Sequence, residues 1–237
     1  MKLSAGLRRP LTRLRRSLFE LAGSARYSRL GLNDLDRKLG RHLDCDGGFF
    51  IEAGANDGLA QSNTYFLEKF RGWTGLLVEP DPVLAAACRR NRRSPVVQAA
   101  LVAEAVPGAT VELHLAGLMS TITGALGDSA ATARHVHAGL QVQQLPARGL
   151  IRVPARTLSA VLDETGLARA VDLLSLDVEG AEPGALRGID FARHAPRFIC
   201  VEAWNEAAIV DVLRPHYRMV EVLFDAGTYR DLLFARH

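Results

Sequence analysis

The chain has 237 residues, 48% of them hydrophobic and 23% charged, enough for one α/β domain with a core that needs no disulfide or metal staple. No uninterrupted apolar run approaches the ~20 residues of a membrane-spanning helix. The net charge of +3 is uneven: residues 1–29 hold eight lysines and arginines against Glu20 alone, a balance of +7, so the remainder carries −4. No basic stripe with interleaved aromatics runs through that remainder, and no nucleic-acid partner is expected. Cys45, Cys88 and Cys200 form no CxxC or Cys/His cluster, which disfavours structural zinc and reads as buried, reduced thiols of a cytoplasmic protein.

In chain order, Leu7, Leu11, Leu14, Leu18 and Leu21 recur at helical spacing with arginines between them. They predict an amphipathic helix able to dock on its own domain, on anionic lipid at a membrane periphery, or on an acidic partner. With a second helix over 33–43, N-capped by Asn33, it makes residues 1–44 a basic helical extension ahead of a domain over 45–237. Gly47-Gly48 then punctuates the chain before a buried strand over 49–53. A helix over 62–71, a strand over 74–78, a helix over 82–93 and a third strand over 96–102 follow. Two apolar runs, 110–116 and 151–155, flank a Gly/Ala/Gln-rich stretch over 117–149 that reads as a partly helical lid. A helix over 158–165, a strand over 171–178, a helix over 182–187, a strand over 198–203 and a helix over 207–213 come next. Strands over 218–224 and 229–235, joined through Asp225-Ala226-Gly227, suit an antiparallel hairpin at the sheet edge. The strand–helix alternation predicts a Rossmann-like α/β fold with a mostly parallel sheet and helices on both faces.

Three strand ends carry chemistry. Ile51-Glu52-Ala53-Gly54-Ala55-Asn56-Asp57-Gly58 is a strand running into a turn bracketed by glycines, whose bare backbone can approach a ligand closely. The GxGxxG dinucleotide fingerprint is absent, and acidic Glu52 and Asp57 would repel phosphate while accepting hydrogen bonds from an ammonium or hydroxyl group. S-adenosylmethionine carries both of those groups and no phosphate. Glu79, in Leu76-Leu77-Val78-Glu79-Pro80-Asp81, ends the next strand, where a carboxylate can accept both hydroxyls of a ribose. Finally, Leu174-Ser175-Leu176-Asp177-Val178-Glu179-Gly180-Ala181-Glu182 sets three carboxylates just past a buried strand. Asp177 and Glu179, two apart on extended backbone, share one side.

The ordered set IEAGANDG, SNTYFLE, LLVEPDP, STI, VPARTLSAVLDE, VDLLSLDVEGAEPGALRG and FICVEAWN resembles the FkbM family of methyltransferases over roughly residues 48–235. The resemblance implies a seven-stranded class I methyltransferase sheet with a C-terminal antiparallel hairpin and S-adenosylmethionine as cofactor. It also implies methyl transfer, usually to oxygen, on a small-molecule, sugar or peptide acceptor. By position, Glu52, Gly54, Ala55, Asn56, Asp57 and Gly58 would surround the methionine part of the cofactor. Glu79 and Pro80 would lie at the ribose, and Gln98 to Leu101, Ala100 among them, near the adenine. Ser62, Asn63 and Thr64 match the family's polar helix start, and Ser120-Thr121-Ile122 a segment of Ser-Ser-Leu type.

Asp177 is expected nearest the sulfonium methyl, with Glu179 or Glu202 serving the acceptor as base. His135 and His137 are alternative bases, and Trp204 a candidate wall of the acceptor site. Asp177, Glu179 and Glu202 are also hard oxygen ligands, but their spacing carries no metal signature and a metal-free site is expected. Two other readings compete. An NAD-dependent oxidoreductase also uses a strand-end glycine turn and a ribose-binding acid, but would need GxGxxG. A non-catalytic module with a vestigial pocket is disfavoured because the turn, Glu79 and Asp177 are all present.

Overall fold

Strands that are apolar on both faces belong in the middle of a parallel sheet covered by helices, and the chain is built so. The computed structural model describes residues 5–166 and 169–237, with side chains from residue 11 onward in the first helix. Lys2 and the side chains of Leu7, Arg8 and Arg9 lie outside the described part. In chain order the described strands are β1 (Phe49–Ala53), β2 (Thr74–Val78), β3 (Val96–Val97), β4 (Ala100–Leu101), β5 (Thr110–His114), β6 (Thr121–Ile122), β7 (Leu150–Arg156), β8 (Leu173–Leu176), β9 (Phe198–Ala203), β10 (Tyr217–Asp225) and β11 (Arg230–Arg236). The helices are α1 (Ala5–Leu21), α2 (Leu35–Leu39), α3 (Tyr65–Phe70), α4 (Pro82–Asn91), α5 (Ser129–Gln143), α6 (Leu158–Glu164), α7 (Glu182–Arg187), α8 (Phe191–His194) and α9 (Glu206–Leu213).

The main sheet has seven strands in the order β3-β2-β1-β8-β9-β11-β10. Its first five run parallel, and β11 pairs antiparallel with both β9 and β10. The chain steps outward from β1 through β2 to β3, then returns to place β8 on the other side of β1. Strand order therefore reverses between β1 and β8, and a crevice opens at their carboxyl ends. Period-2 alternation divides the core: Phe49, Ile51, Leu174, Leu176, Ile199 and Val201 pack on one face with residues of α6, α7 and α9. Phe50, Leu77, Leu173 and Cys200 pack on the other with residues of α2, α3 and α4. Leu35, Leu39 and Leu43, on the extension side of the expected 44/45 boundary, are buried in this second cluster.

Sequence and structure differ in several places. The strand expected over 96–102 is two short strands, one pairing with β2 and the other with β7. Between them, Gln98 turns back to donate to the Pro80 carbonyl at 3.3 Å. Strands β4, β7, β5 and β6 make a second, four-stranded sheet that the apolar runs 110–116 and 151–155 did not reveal as such. The helix expected from Asn33 is shorter: Asn33 and Asp34 both adopt left-handed backbone, so α2 starts only at Leu35 and has no side-chain cap.

The amphipathic α1 docks in an unexpected orientation. Its polar side faces the domain: Arg13 pairs with Asp57, and Glu20 accepts from Tyr65 Oη at 3.0 Å and Ser28 Oγ at 2.7 Å. Leu11, Leu14, Leu18 and Leu21 point away and are 49–85% exposed. Among the described residues, no helix is long and apolar enough to cross a membrane.

Candidate active site

Gly54, the first residue after β1, has φ of +82°, and a Cβ built on it would lie 1.7 Å from the backbone carbonyl oxygen of Asp177. No side chain fits there. The turn is fixed to β2 by Gly54 N–H and Ala55 N–H, which donate to the Val78 carbonyl at 3.0 and 3.1 Å. Asn56 holds a left-handed φ of 50° and its N–H donates to Glu79 Oε2 at 2.7 Å, while Asp81 N–H donates to Glu79 Oε1 at 2.9 Å. Glu79 thus faces the turn across the strand ends, each oxygen keeping a lone pair. Burial pushes its carboxyl up to about 7; the two N–H donors oppose that shift and Asp81 adds to it.

Gly54 and Glu79 line one cleft at the strand ends. Of the other residues expected at the cofactor, Glu52, Ala55, Asn56, Ser62, Asn63, Pro80, Ala100 and Asp177 line it, and Glu179 does as well. Asp57, Gly58, Thr64 and Glu202 do not. Asp57 accepts from Leu59 N–H and Ala60 N–H and pairs with Arg13. Gly58 is packed against Arg92 and Cys88. Thr64 donates to Glu52 Oε2 at 2.8 Å.

Glu52, although at the cleft, is saturated by the protein. Its carboxylate accepts from Ser62 Oγ, Asn63 N–H, Thr64 Oγ1 and the guanidinium of Arg92, the last at 3.0 Å. The Arg92 side chain is wholly buried and also pairs with Glu68 at 3.2 Å. The polar helix start at 62–64 therefore clamps Glu52, and Asn63 alone keeps a buried oxygen, Oδ1, with no hydrogen-bond partner.

Several cleft residues had no signal in the sequence. Leu113 comes from the second sheet, and Gln61 adopts a left-handed φ of 58°. Ser175, a polar residue inside the apolar run of β8, was a readable signal; it accepts from Asn63 Nδ2 at 3.1 Å. The 117–149 stretch is ordered over the strand ends: Leu118, Ser120 and Ile122 line the cleft, and Thr121 Oγ1 donates to the Glu179 carbonyl at 2.7 Å. On α5, His135 is buried with Nε2 3.0 Å from Glu179 Oε2 and its ring edge-on to Trp204 at 5.1 Å. His137 faces outward and is exposed.

Beside the cleft lies a smaller cavity lined by Asp177, Glu202 and Asp231; Gln61, Asn63, Ser175 and Asp177 border both spaces. Glu202 on β9 stands opposite Asp231 on β11 and accepts from Trp204 Nε1 at 2.9 Å. Burial, with repulsion from neighbouring carboxylates, raises Asp177 well above the usual range and Glu202 to about 8, while burial alone raises Asp231 to about 6 against the pull of Lys38. Glu179 is raised by burial and partly restored by His135. Asp177 Oδ1 has no hydrogen-bond partner.

A bare backbone turn, a paired carboxylate one strand away and unpartnered acceptors on Asn63 and Asp177 suit a sulfonium nucleoside with a diol and an ammonium, and disfavour a pyrophosphate. Together with the sheet order, they define the class: a Rossmann-like methyltransferase with its cofactor cleft at the switch point. The chain belongs to the FkbM family, whose methyltransferase domain matches residues 52–227, and it is an S-adenosylmethionine-dependent methyltransferase. Among solved structures it is similar to a TehB-like methyltransferase from Corynebacterium glutamicum (13% identity, TM-score 0.45, covering 95% of this chain and 96% of that one). It is also similar to a methyltransferase from Pyrococcus furiosus (13% identity, TM-score 0.44, covering 94% and 97%). No curated protein matches it.

A ribose held by Glu79, as expected from the sequence, would make cofactor binding pH-dependent. The folded pKa of Glu79, about 7, lies above its ordinary 4.5, so its contribution to stability is lost as pH rises between those values, while the ionised form, the one able to accept two ribose hydroxyls, is gained. Calorimetry with S-adenosylhomocysteine is expected to show affinity falling by up to about tenfold per unit as pH drops below 7. Glu79→Gln is expected to bind weakly with a flatter profile; an unchanged profile in that variant would exclude Glu79 as the ribose ligand.

Proposed function

We propose that the enzyme methylates a hydroxyl oxygen of a small-molecule, sugar or peptide acceptor that enters the acid-lined cavity beside the cofactor cleft. The observation that carries this reading is the position of Asp177, which borders both spaces and has an oxygen with no protein partner. S-adenosylmethionine supplies a methyl group on a sulfonium, already activated for displacement. The protein aligns acceptor and methyl and takes the proton that an alcohol must lose. A Glu202 carboxylate with a pKa near 8 is a stronger base than an ordinary glutamate, and Trp204 holds its other side by a hydrogen bond. Glu179, steadied by His135, faces the cleft and can orient the acceptor hydroxyl. Glu202 would take the proton that the acceptor hydroxyl gives up.

Isotopically labelled methyl donor incubated with candidate acceptor pools, read by mass spectrometry, tests the reading: label should appear on oxygen in one pool. Asp177→Asn should lose at least about 100-fold in turnover while keeping S-adenosylhomocysteine affinity within a few-fold. Full turnover in that variant, or label only on nitrogen, would refute the assignment.

The outward leucine stripe of α1 supports a second contact. Two copies of so basic a segment repel each other, so charge complementarity favours an anionic bilayer as the surface that covers it. The protein should co-sediment with vesicles containing phosphatidylglycerol and not with pure phosphatidylcholine, with binding lost at high salt and in Leu14→Asp. Absence of vesicle binding would reject the bilayer and leave an acidic protein as the partner to seek.

A further inference from the structure

Among the described residues, two of the buried groups of carboxylates are treated differently. Glu52 and Glu68 share a guanidinium, Arg92, sealed between them. At the ends of β8, β9 and β11, Asp177, Glu179, Glu182, Glu202 and Asp231 gather with no such cation. His135 touches only Glu179, and Lys38, which acts on Asp231 from a distance, spends its ammonium on the Leu223 carbonyl at 2.7 Å.

The geometry points to a site for one hard divalent cation, Mg²⁺ or Mn²⁺, held by Asp177, Glu179 and Glu202. One oxygen from each of these residues lies within 4.8 Å of the others. Opposite ligands of an ion with metal–oxygen distances of about 2.1–2.5 Å stand about 4.2–5.0 Å apart, so three such oxygens can share it. A second observation is independent of that clustering. Asp231 is only 2% exposed, lines the same small cavity as Asp177 and Glu202, and has an oxygen, Oδ2, with no hydrogen-bond partner. Buried carboxylate oxygens left without donors are rare, and a water bound to the ion would supply one to Asp231. Glu179 is set for the task by its backbone: a left-handed φ of 54°, stabilised by the Thr121 hydroxyl on its carbonyl, directs it away from the regular run of β8.

All-oxygen ligands select hard ions over zinc or copper. This proposal differs from the metal-free expectation: the sequence offers the same three acids, but their spacing does not show how near Glu202, on another strand, stands to the other two. The ion's role rests on the proposed methyl transfer: it would bind the acceptor hydroxyl and lower its pKa, easing the proton's passage to a carboxylate. Its binding does not depend on that reading.

Manganese electron paramagnetic resonance on the protein, without cofactor or acceptor, tests the site. The expected result is one Mn²⁺ per chain, displaced by Mg²⁺ and weakened at least about tenfold in Glu202→Gln and in Asp177→Asn. Thermal unfolding of the variants separates loss of a ligand from loss of fold. No stoichiometric Mn²⁺ in the wild type, or equal binding in folded variants, would overturn the proposal. S-adenosylhomocysteine calorimetry on the same samples keeps the two readings apart. Cofactor binding without Mn²⁺ removes the ion and leaves the methyltransferase reading, while Mn²⁺ without cofactor binding does the reverse.

Discussion

The contact on which the site depends is the approach of Gly54 to the carbonyl of Asp177, too close for any side chain. It lets the ends of β1 and β8 come together at the point where strand order reverses, and it leaves bare backbone facing the cleft. The neighbouring constraints follow from that approach. Asp177 N–H bonds to the Ala53 carbonyl at 3.0 Å, Glu79 is drawn onto the Asn56 N–H, and Glu179 turns through left-handed backbone toward α5. The strand ends can close on one another because residue 54 lacks a Cβ.

Burial of charge divides this site into structure and chemistry. Arg92 compensates Glu52 and Glu68, and hydroxyls of Ser62 and Thr64 complete the hydrogen bonds of Glu52, so that group is a clamp with nothing left to offer a ligand. Among the described residues no guanidinium sits between the acids around Asp177; burial raises their pKa values, and several of their oxygens have no donor. Such uncompensated groups destabilise a fold and persist where binding or chemistry uses them.

Much of this was legible along the chain. The apolar runs of β1, β2, β8 and β9 show themselves because strands buried on both faces are continuous in hydrophobic residues, and glycines and acids mark where those runs end. Glu79 could be placed opposite the turn because parallel neighbours bring their carboxyl ends level. The second sheet could not be read, since nothing local says that Ala100 and Leu101 leave β2 for β7. Nor could the fate of Glu52, whose partner Arg92 lies 40 residues away. The stripe on α1 was plain, yet its direction was not: an apolar face ordinarily turns inward, and here the Arg13–Asp57 ion pair and the hydrogen bond from Tyr65 to Glu20 hold the polar face against the domain.

The most direct test is titration calorimetry of S-adenosylhomocysteine into the wild-type protein and Gly54→Ala, with circular dichroism to follow the fold. The account predicts one site per chain in the wild type and no measurable heat in the variant, because any Cβ at that position drives the ends of β1 and β8 apart. Equal binding by both proteins, or none by the wild type, would contradict it.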